Sequence, residues 1–267
     1  MERIVDSHAH LNDSSFTNNI DDVLKRANEL GVYKVLIPSW DIESSKKAIE
    51  IASRYDNLYA AISIHAQDVG PFTINDLEII RELAKSSKKV IAIGETGLDY
   101  HYGKEDALKQ KEFFIEQLDI ARELNLPVII HLRDAAKDFI DIIKEYMNSR
   151  NIKSITGVMH SYSDSLETMK ILLKFGFYIS FSGPVTFKNA RVQKECAMYC
   201  PLDRMLVETD SPYLTPEPFR GMKNEPKNTY YTLKYIAELK GIDSDELSRI
   251  TTNNFNTLFN LEDNLWV

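Results

Sequence analysis

The amino-acid sequence predicts a single α/β domain, a TIM (β/α)8 barrel with an extra C-terminal helix. Eight short β-rich segments recur along the 267 residues, and the stretches between them are long enough for helices. The segments are almost continuously apolar, which is typical of parallel strands covered by helices, and eight such units close naturally into a barrel. No linker-like composition divides residues 1–267, so we expect one domain. An open, doubly wound sheet is the alternative.

The eight predicted strands are, in chain order, RIVDSH, KVLIPS, LYAAISIH, VIAIGE, PVIIH, TGVMH, YISFSG and RMLVETD. Apolar residues at helical spacing predict helices between them, as at Ala48, Ile51, Ala52 and Tyr55, at Phe114, Leu118 and Ala121, and at Phe139, Ile142, Ile143 and Tyr146. The segment DSDELSRITTNNFNTLFNL near the C-terminus predicts the added helix. We expect this helix to cover the barrel wall or one of its ends.

Composition excludes some classes of function. The net charge of -8 argues against nonspecific coating of nucleic acid, which depends on cation contacts to phosphates, although a local site remains possible. No apolar run reaches the roughly 18 to 20 residues that span a bilayer, and no basic segment followed by an apolar one opens the chain. We therefore expect a cytoplasmic protein with no membrane partner. Cys196 and Cys200 are expected to be reduced packing residues.

The first predicted strand runs into a motif that is suited to metal binding. In VDSHAHL, Asp6, His8 and His10 occupy alternate positions. If the strand extends through them, the three side chains share one face. Two nearby histidines also occur as capping or solvent-exposed residues, so this stretch alone does not decide between the two interpretations.

Further polar residues stand at the carboxyl ends of later strands, where active sites of barrels are found. They are His65 after the third strand, Glu95 after the fourth, His131 after the fifth, His160 after the sixth and Asp210 after the eighth. Each has a structural interpretation by itself, such as a turn carboxylate, a core histidine or a helix N-cap. Five of the six histidines fall at strand ends, however, and this joint pattern favours one shared site.

The chain resembles the TatD family of metal-dependent deoxyribonucleases, a branch of the amidohydrolase-like barrels. The resemblance is carried by DSHAHL, IGETGLDY, PVIIHLRDA, GVMHSYS, SFSGPVTFKNA, LVETDSPYL and FRGMKNEP, which follow one another in the order that the family uses. It implies two divalent metal ions. His8, His10 and Asp210 would bind the first ion, His131 and His160 would bind the second, and Glu95 would bridge both.

One segment departs from the family pattern. The family usually has a second histidine two residues after the first, but IHAQD has Gln67 at that position after His65. This departure puts the substrate or supporting role of the segment in question. We expect His65 to line the site and contact substrate rather than bind a metal.

The identity of the metals is open between Mg²⁺, Zn²⁺ and Mn²⁺. Four imidazoles and two carboxylates suit zinc, manganese or nickel better than magnesium, whereas the resemblance implies magnesium. A pair of divalent ions suits phosphodiester hydrolysis, with Asp210 as the general base and Glu95 as the second catalytic carboxylate. The resemblance implies a 3'-5' exonuclease that acts on the ends of single-stranded DNA.

Basic residues in the motifs are the candidates for substrate contact: Arg133, Lys188, Arg220 and Lys223. Ordinary solvated charges are the alternative, and we favour it for Lys188 or Lys223 taken singly. A rival function on the same metal centre is a D-aminoacyl-tRNA deacylase or another ester or amide hydrolase, and a second is a noncatalytic scaffold barrel. We expect a monomer with no stable protein partner.

Overall fold

The computed structural model describes residues 3–262, and within that range eight strands form one parallel sheet in chain order. The strands are β1 (Ile4–Asp6), β2 (Val32–Ile37), β3 (Leu58–Ile62), β4 (Val90–Asp99), β5 (Val128–Arg133), β6 (Gly157–Met159), β7 (Tyr178–Phe181) and β8 (Met205–Val207). The backbone N–H of Ser7 donates to Val207 O at 3.2 Å and that of His10 to Ser211 O at 2.8 Å. These bonds join the first and last strands, so the barrel is confirmed and the open sheet is wrong.

Nine helices lie in the same range and surround the sheet or follow it. They are α1 (Ile20–Glu29), α2 (Ile42–Ser53), α3 (Leu77–Ser86), α4 (Ala107–Leu124), α5 (Ala136–Ser149), α6 (Leu166–Lys174), α7 (Arg191–Tyr199), α8 (Thr229–Lys240) and α9 (Ser244–Leu258). The helical pattern read through Tyr55 runs past the end of α2. The Tyr55 hydroxyl instead donates to Asp21 Oδ1 at 2.5 Å, which ties the loop after α2 to α1.

The buried apolar residues form two layers. One layer lies between the strands and the helices, and the other fills the barrel interior. Phe255, Leu258 and Phe259 of the C-terminal segment belong to the interior layer. The C-terminal helix α9 therefore closes one end of the barrel, which is the second of the two placements that we expected.

Hydrogen bonds show which end α9 closes. The hydroxyls of Ser248 and Thr252 donate to Arg3 O at 2.7 and 2.8 Å, and Asn254 Nδ2 donates to Met205 O at 2.8 Å. Arg3 and Met205 stand at the starts of β1 and β8. The helix thus covers the amino-terminal end of the barrel and leaves the carboxyl end open.

Cys196 and Cys200 are free and buried, as the composition predicted. Burial raises the pKa of both thiols to about 12, so neither ionises near neutral pH. Within residues 3–262, no helix is both long enough and apolar enough to cross a membrane.

Candidate metal centre

The two histidines of the first motif lie just beyond β1, which ends at Asp6. Their Nε2 atoms face each other at 3.3 Å. Asp6 does not join them, because its carboxylate accepts bonds from the backbone N–H and the hydroxyl of Thr209 at 2.9 and 2.5 Å. Burial raises the pKa of Asp6 to about 7. The strand does not extend through His8 and His10, so the condition for a face shared with Asp6 is not met.

Four donor atoms from three parts of the chain form a first set. His8 Nε2 lies 3.2 Å from Glu95 Oε2 and 3.6 Å from Asp210 Oδ1, and His10 Nε2 lies 3.8 and 3.4 Å from the same two oxygens. Nitrogen ligands roughly 2.1 Å from a tetrahedral zinc ion lie about 3.4 Å from one another. The spacing of these four atoms therefore fits one divalent cation.

A second set shares Glu95 through its other oxygen. Glu95 Oε1 lies 2.8 Å from His131 Nδ1 and 2.7 Å from His160 Nε2, and the two nitrogens are 3.2 Å apart. The two oxygens of one carboxylate thus point into two different donor sets. Glu95 stands where a bridging ligand would have to stand.

The strand that carries Glu95 is longer than the sequence predicted. We expected the fourth strand to end at Glu95, but β4 continues to Asp99 and pairs with β5 as far as Arg133. The bridging position is therefore held inside a strand rather than in a loop. Asp210 follows β8 with a φ of 58°, a left-handed conformation that aspartate tolerates better than most residues.

His65 lies at the margin of the second set. Its Nε2 is 3.6 Å from Glu95 Oε1, and its Nδ1 is 3.5 Å from Asp68 Oδ2. Burial alone would lower the pKa of His65, but the two carboxylates outweigh it and raise the pKa to about 9. His65, Glu95 and His131 also form a group that could hold a metal ion. The expected substrate contact of His65, in place of a ligand role, stays a prediction.

Two buried carboxylates that the sequence did not predict as site residues contact His131 and His160. Each contacts the ring nitrogen that does not face Glu95. Asp99 Oδ2 lies 2.8 Å from His131 Nε2. Glu208 Oε1 lies 3.3 Å from His160 Nδ1 and accepts from the Ser161 backbone N–H at 2.7 Å. Such partners orient a ligating imidazole and select its tautomer. The sequence signal was a further acid close to a predicted ligand: Asp99 follows Glu95 in IGETGLD, and Glu208 precedes Asp210 in LVETD.

The charges of the site are suited to a cation. Burial would raise the pKa of Glu95, but His160, His8 and the hydrogen bond from His131 hold it well below its usual range. Burial also opposes ionisation of Asp210, and the histidines, above all His10, lower its pKa. Both carboxylates are therefore ionised at neutral pH, and their negative charge favours a divalent ion.

The six predicted ligands thus converge in two donor sets that share Glu95, and known proteins show the family to which such a chain belongs. Residues 5–260 match the family model described as TatD related DNase. The chain belongs to the TatD family. It is 43% identical over 258 residues to the uncharacterized metal-dependent hydrolase YabD of Bacillus subtilis, covering 97% of this chain and 99% of that protein.

A second relative and a solved structure of the TatD family match the chain over nearly its whole length. The uncharacterized metal-dependent hydrolase YcfH of Escherichia coli is 41% identical over 263 residues, covering 97% of this chain and 96% of that protein. The crystal structure of YjjV, a TatD homologue from Escherichia coli, superimposes with a TM-score of 0.90 at 29% identity, covering 97% and 99% of the two chains. This chain is accordingly a metal-dependent hydrolase with the TatD fold.

Gln67, the residue that departs from the TatD pattern, contacts a residue of the site. The Gln67 side-chain amide donates to Asp99 Oδ2 at 2.7 Å, and this oxygen is the one that contacts His131 Nε2. Gln67 therefore acts on the second donor set through Asp99. The six predicted ligands lie together without a histidine at this position.

A pocket of about 350 Å³ opens beside the TatD donor sets and is lined by His131, His160 and Asp210. Arg133 also lines it, whereas Lys188 and Arg220 are absent from its lining among the described residues. The Arg220 guanidinium packs over Phe187, 4.2 Å from the ring centroid. Of the predicted substrate cations, the structure brings Arg133 alone to this pocket, and the roles of Lys188 and Arg220 stay predictions.

Lys223, the remaining basic candidate, contacts the segment that follows the first motif. Its Nζ donates to Ser15 O at 3.0 Å and lies 4.7 Å from the Phe16 ring centroid. Whether Lys223 is an ordinary solvated charge or contacts substrate stays a prediction.

Proposed function

We propose that this TatD-family hydrolase is a deoxyribonuclease, a 3'-5' exonuclease that acts on single-stranded DNA. One observation carries the proposal: the Glu95 carboxylate lies between two donor sets, with one oxygen 3.2 Å from His8 Nε2 and the other 2.7 Å from His160 Nε2. This arrangement suits a pair of adjacent divalent ions. Such a pair polarises a phosphoryl group, generates a strong nucleophile from water and stabilises the leaving oxygen.

The residues of the chain supply the remaining parts of the reaction. Asp210 is ionised and lies at the edge of the first donor set, so it is placed to accept a proton from the attacking water. Arg133 at the pocket edge binds phosphate oxygens, because a guanidinium offers paired donors to them. Glu95 holds the two donor sets in a fixed relation.

The proposal includes two ions, Mg²⁺, Zn²⁺ or Mn²⁺. The four imidazoles favour zinc or manganese, since magnesium prefers an all-oxygen environment. The spacing of the first donor set also fits four-coordinate zinc. Elemental analysis of protein purified without added metal decides the resident ion and its stoichiometry.

The test of the nuclease activity uses the metal-reconstituted protein and end-labelled single-stranded DNA. We expect stepwise release of nucleotides from the 3' end, and loss of at least about 100-fold in rate for Glu95→Ala, because both donor sets lose a ligand. Glu112→Ala, at an exposed position of α4, is the matched control and keeps the rate. Hydrolysis of D-aminoacyl-tRNA with no cleavage of DNA would instead establish the acyl-ester function.

Asp210→Asn tests the general base. The amide cannot accept the proton and is a weaker ligand, so we expect the variant to lose both turnover and affinity for metal. Single-turnover rates at saturating metal separate the two effects. A nuclease rate equal to that of the wild type would exclude Asp210 from this role.

The proposal also covers the oligomeric state of the protein and its location in the cell. We propose a monomer in the cytoplasm whose partner is the single-stranded end of DNA. Light scattering during size-exclusion chromatography tests the first point, and a dimer mass would contradict it. Fractionation of cells with an antibody to the chain tests the second.

A further inference from the structure

The pocket beside the metal centre has walls that suit a flat, uncharged group. It is lined by residues of β5, β7 and α7 and of the segments that follow β6, β7 and β8. Leu132, Phe181, Val185 and Leu214 are among its apolar lining residues. At about 350 Å³, it lies at the small end of the range for ligand pockets. It can hold one residue-sized group next to the donor sets, but not a longer stretch of polymer.

The charged groups of this pocket stand where it meets the metal centre. Apart from Arg133, His131, His160 and Asp210, every lining side chain among residues 3–262 is uncharged. A phosphate bound between Arg133 and the donor sets would therefore leave the rest of its nucleotide in neutral surroundings.

Some polar groups of the pocket already form hydrogen bonds within the protein. The Ser161 and Ser182 hydroxyls bond to each other at 2.6 Å, and the Tyr162 hydroxyl donates to Ser165 O at 2.7 Å. In the described part of the chain, the Gln193 amide has no such side-chain partner, and it lines the same pocket from α7. A primary amide offers two donors and an acceptor, which is the pattern that pairs with the edge of a nucleobase.

We propose that this pocket is a subsite for one nucleobase, that of the nucleotide whose phosphate is cleaved, with Gln193 bonded to the edge of the base. The proposal rests on the proposed nuclease function. The face of the base packs on the apolar walls, and Gln193 lies on α7, a separate element from those that carry the six ligands. Gln193 thereby becomes a residue that determines specificity.

The test compares single-stranded oligonucleotides that end in a normal 3' nucleotide or in an abasic one. Burial of the base against the apolar walls predicts that the wild type cleaves the normal end about tenfold or more faster in kcat/KM. Gln193→Leu removes the hydrogen bonds and lowers this ratio about fivefold. Ser163→Trp fills the pocket from an exposed position and brings the ratio close to one. Glu195→Gln, exposed on the same helix, keeps the wild-type ratio.

A binding measurement separates this inference from the nuclease proposal. Isothermal titration of the full-length protein compares deoxyadenosine 5'-phosphate with deoxyribose 5-phosphate, and we expect tighter binding of the first, with the difference reduced in Gln193→Leu. If both ends are cleaved equally, the base subsite is overturned and the nuclease function stands. If no oligonucleotide is cleaved, the nuclease function fails. In that case the titration decides the pocket, and equal or absent binding of the two phosphates overturns it.

Discussion

At the scale of single residues, the carboxylates that contact His131 and His160 decide which ring nitrogen of each histidine faces Glu95. Asp99 contacts His131 Nε2 at 2.8 Å, which leaves His131 Nδ1 facing Glu95. Glu208 plays the same part for His160, whose Nε2 then faces Glu95. The two imidazoles turn different nitrogens toward the same Glu95 oxygen. The reason is that Asp99 contacts Nε2 of His131, whereas Glu208 contacts Nδ1 of His160.

Asp99→Ala should therefore weaken metal binding without removing a ligand. We expect a loss of about 10- to 100-fold in affinity, the usual cost of removing a partner behind a ligating histidine. Competition with a chelator measures it, and ¹⁵N NMR of His131 reports the tautomer. Asp99→Asn keeps an acceptor for Nε2–H and should restore much of the affinity. The control is Asp141→Ala, at an exposed position of α5; an equal loss in this variant would count against the orienting role.

At the scale of elements, the close pairing of β4 with β5 holds the second donor set together. Gly97 pairs with His131 and has a φ of 144°, a conformation that residues with side chains rarely adopt. A Cβ at this position would lie 2.0 Å from His131 O. Only glycine allows the two strands to approach this closely between Glu95 and Asp99.

Gly97→Ala should consequently destabilise the protein and displace His131. Strain of about 1–3 kcal/mol from the backbone conformation, with the added clash, predicts a Tm at least about 4 °C lower. Thermal unfolding followed by circular dichroism measures the change, and metal affinity should fall with it. Gly70→Ala is the matched control, because a Cβ at Gly70 meets nothing within 4 Å. A Tm for Gly97→Ala equal to that of the control would contradict the argument.

At the scale of the whole molecule, the barrel has one end for stability and one end for chemistry. The C-terminal helix α9 buries Phe255 against the interior layer at the amino-terminal end, while the donor sets occupy the carboxyl end. Barrels generally separate the two roles in this way. Changes at α9 should accordingly affect unfolding far more than they affect the metal centre.

Phe255→Ala is the corresponding prediction. Loss of a fully buried phenylalanine costs about 3–5 kcal/mol, which lowers the Tm by about 6–20 °C in a protein of this size. Thr257→Ala, an exposed position of the same helix, should leave the Tm nearly unchanged. Metal affinity measured well below the Tm should equal that of the wild type. A large loss of affinity would show that the two ends are coupled.

The sequence by itself determined the barrel and the meeting of ligand-type residues at one of its ends, because both depend on local pattern. Apolar runs of strand length recur eight times, and ligand-type residues such as His131 and His160 stand at the ends of those runs. Parallel strands in a barrel share one rim, so the expectation that these residues meet followed from their positions along the chain. Their assignment as metal ligands rested on the resemblance to the TatD family.

Only the tertiary structure decided the contacts between distant segments. These include the removal of Asp6 from the site by Thr209, the extension of β4 to Asp99, the support of His131 by Asp99 and Gln67, and the end that α9 closes. Each depends on pairs separated by about thirty to two hundred residues. Local spacing carries no information on such pairs, since their geometry is set by strand register and side-chain packing after the barrel has closed.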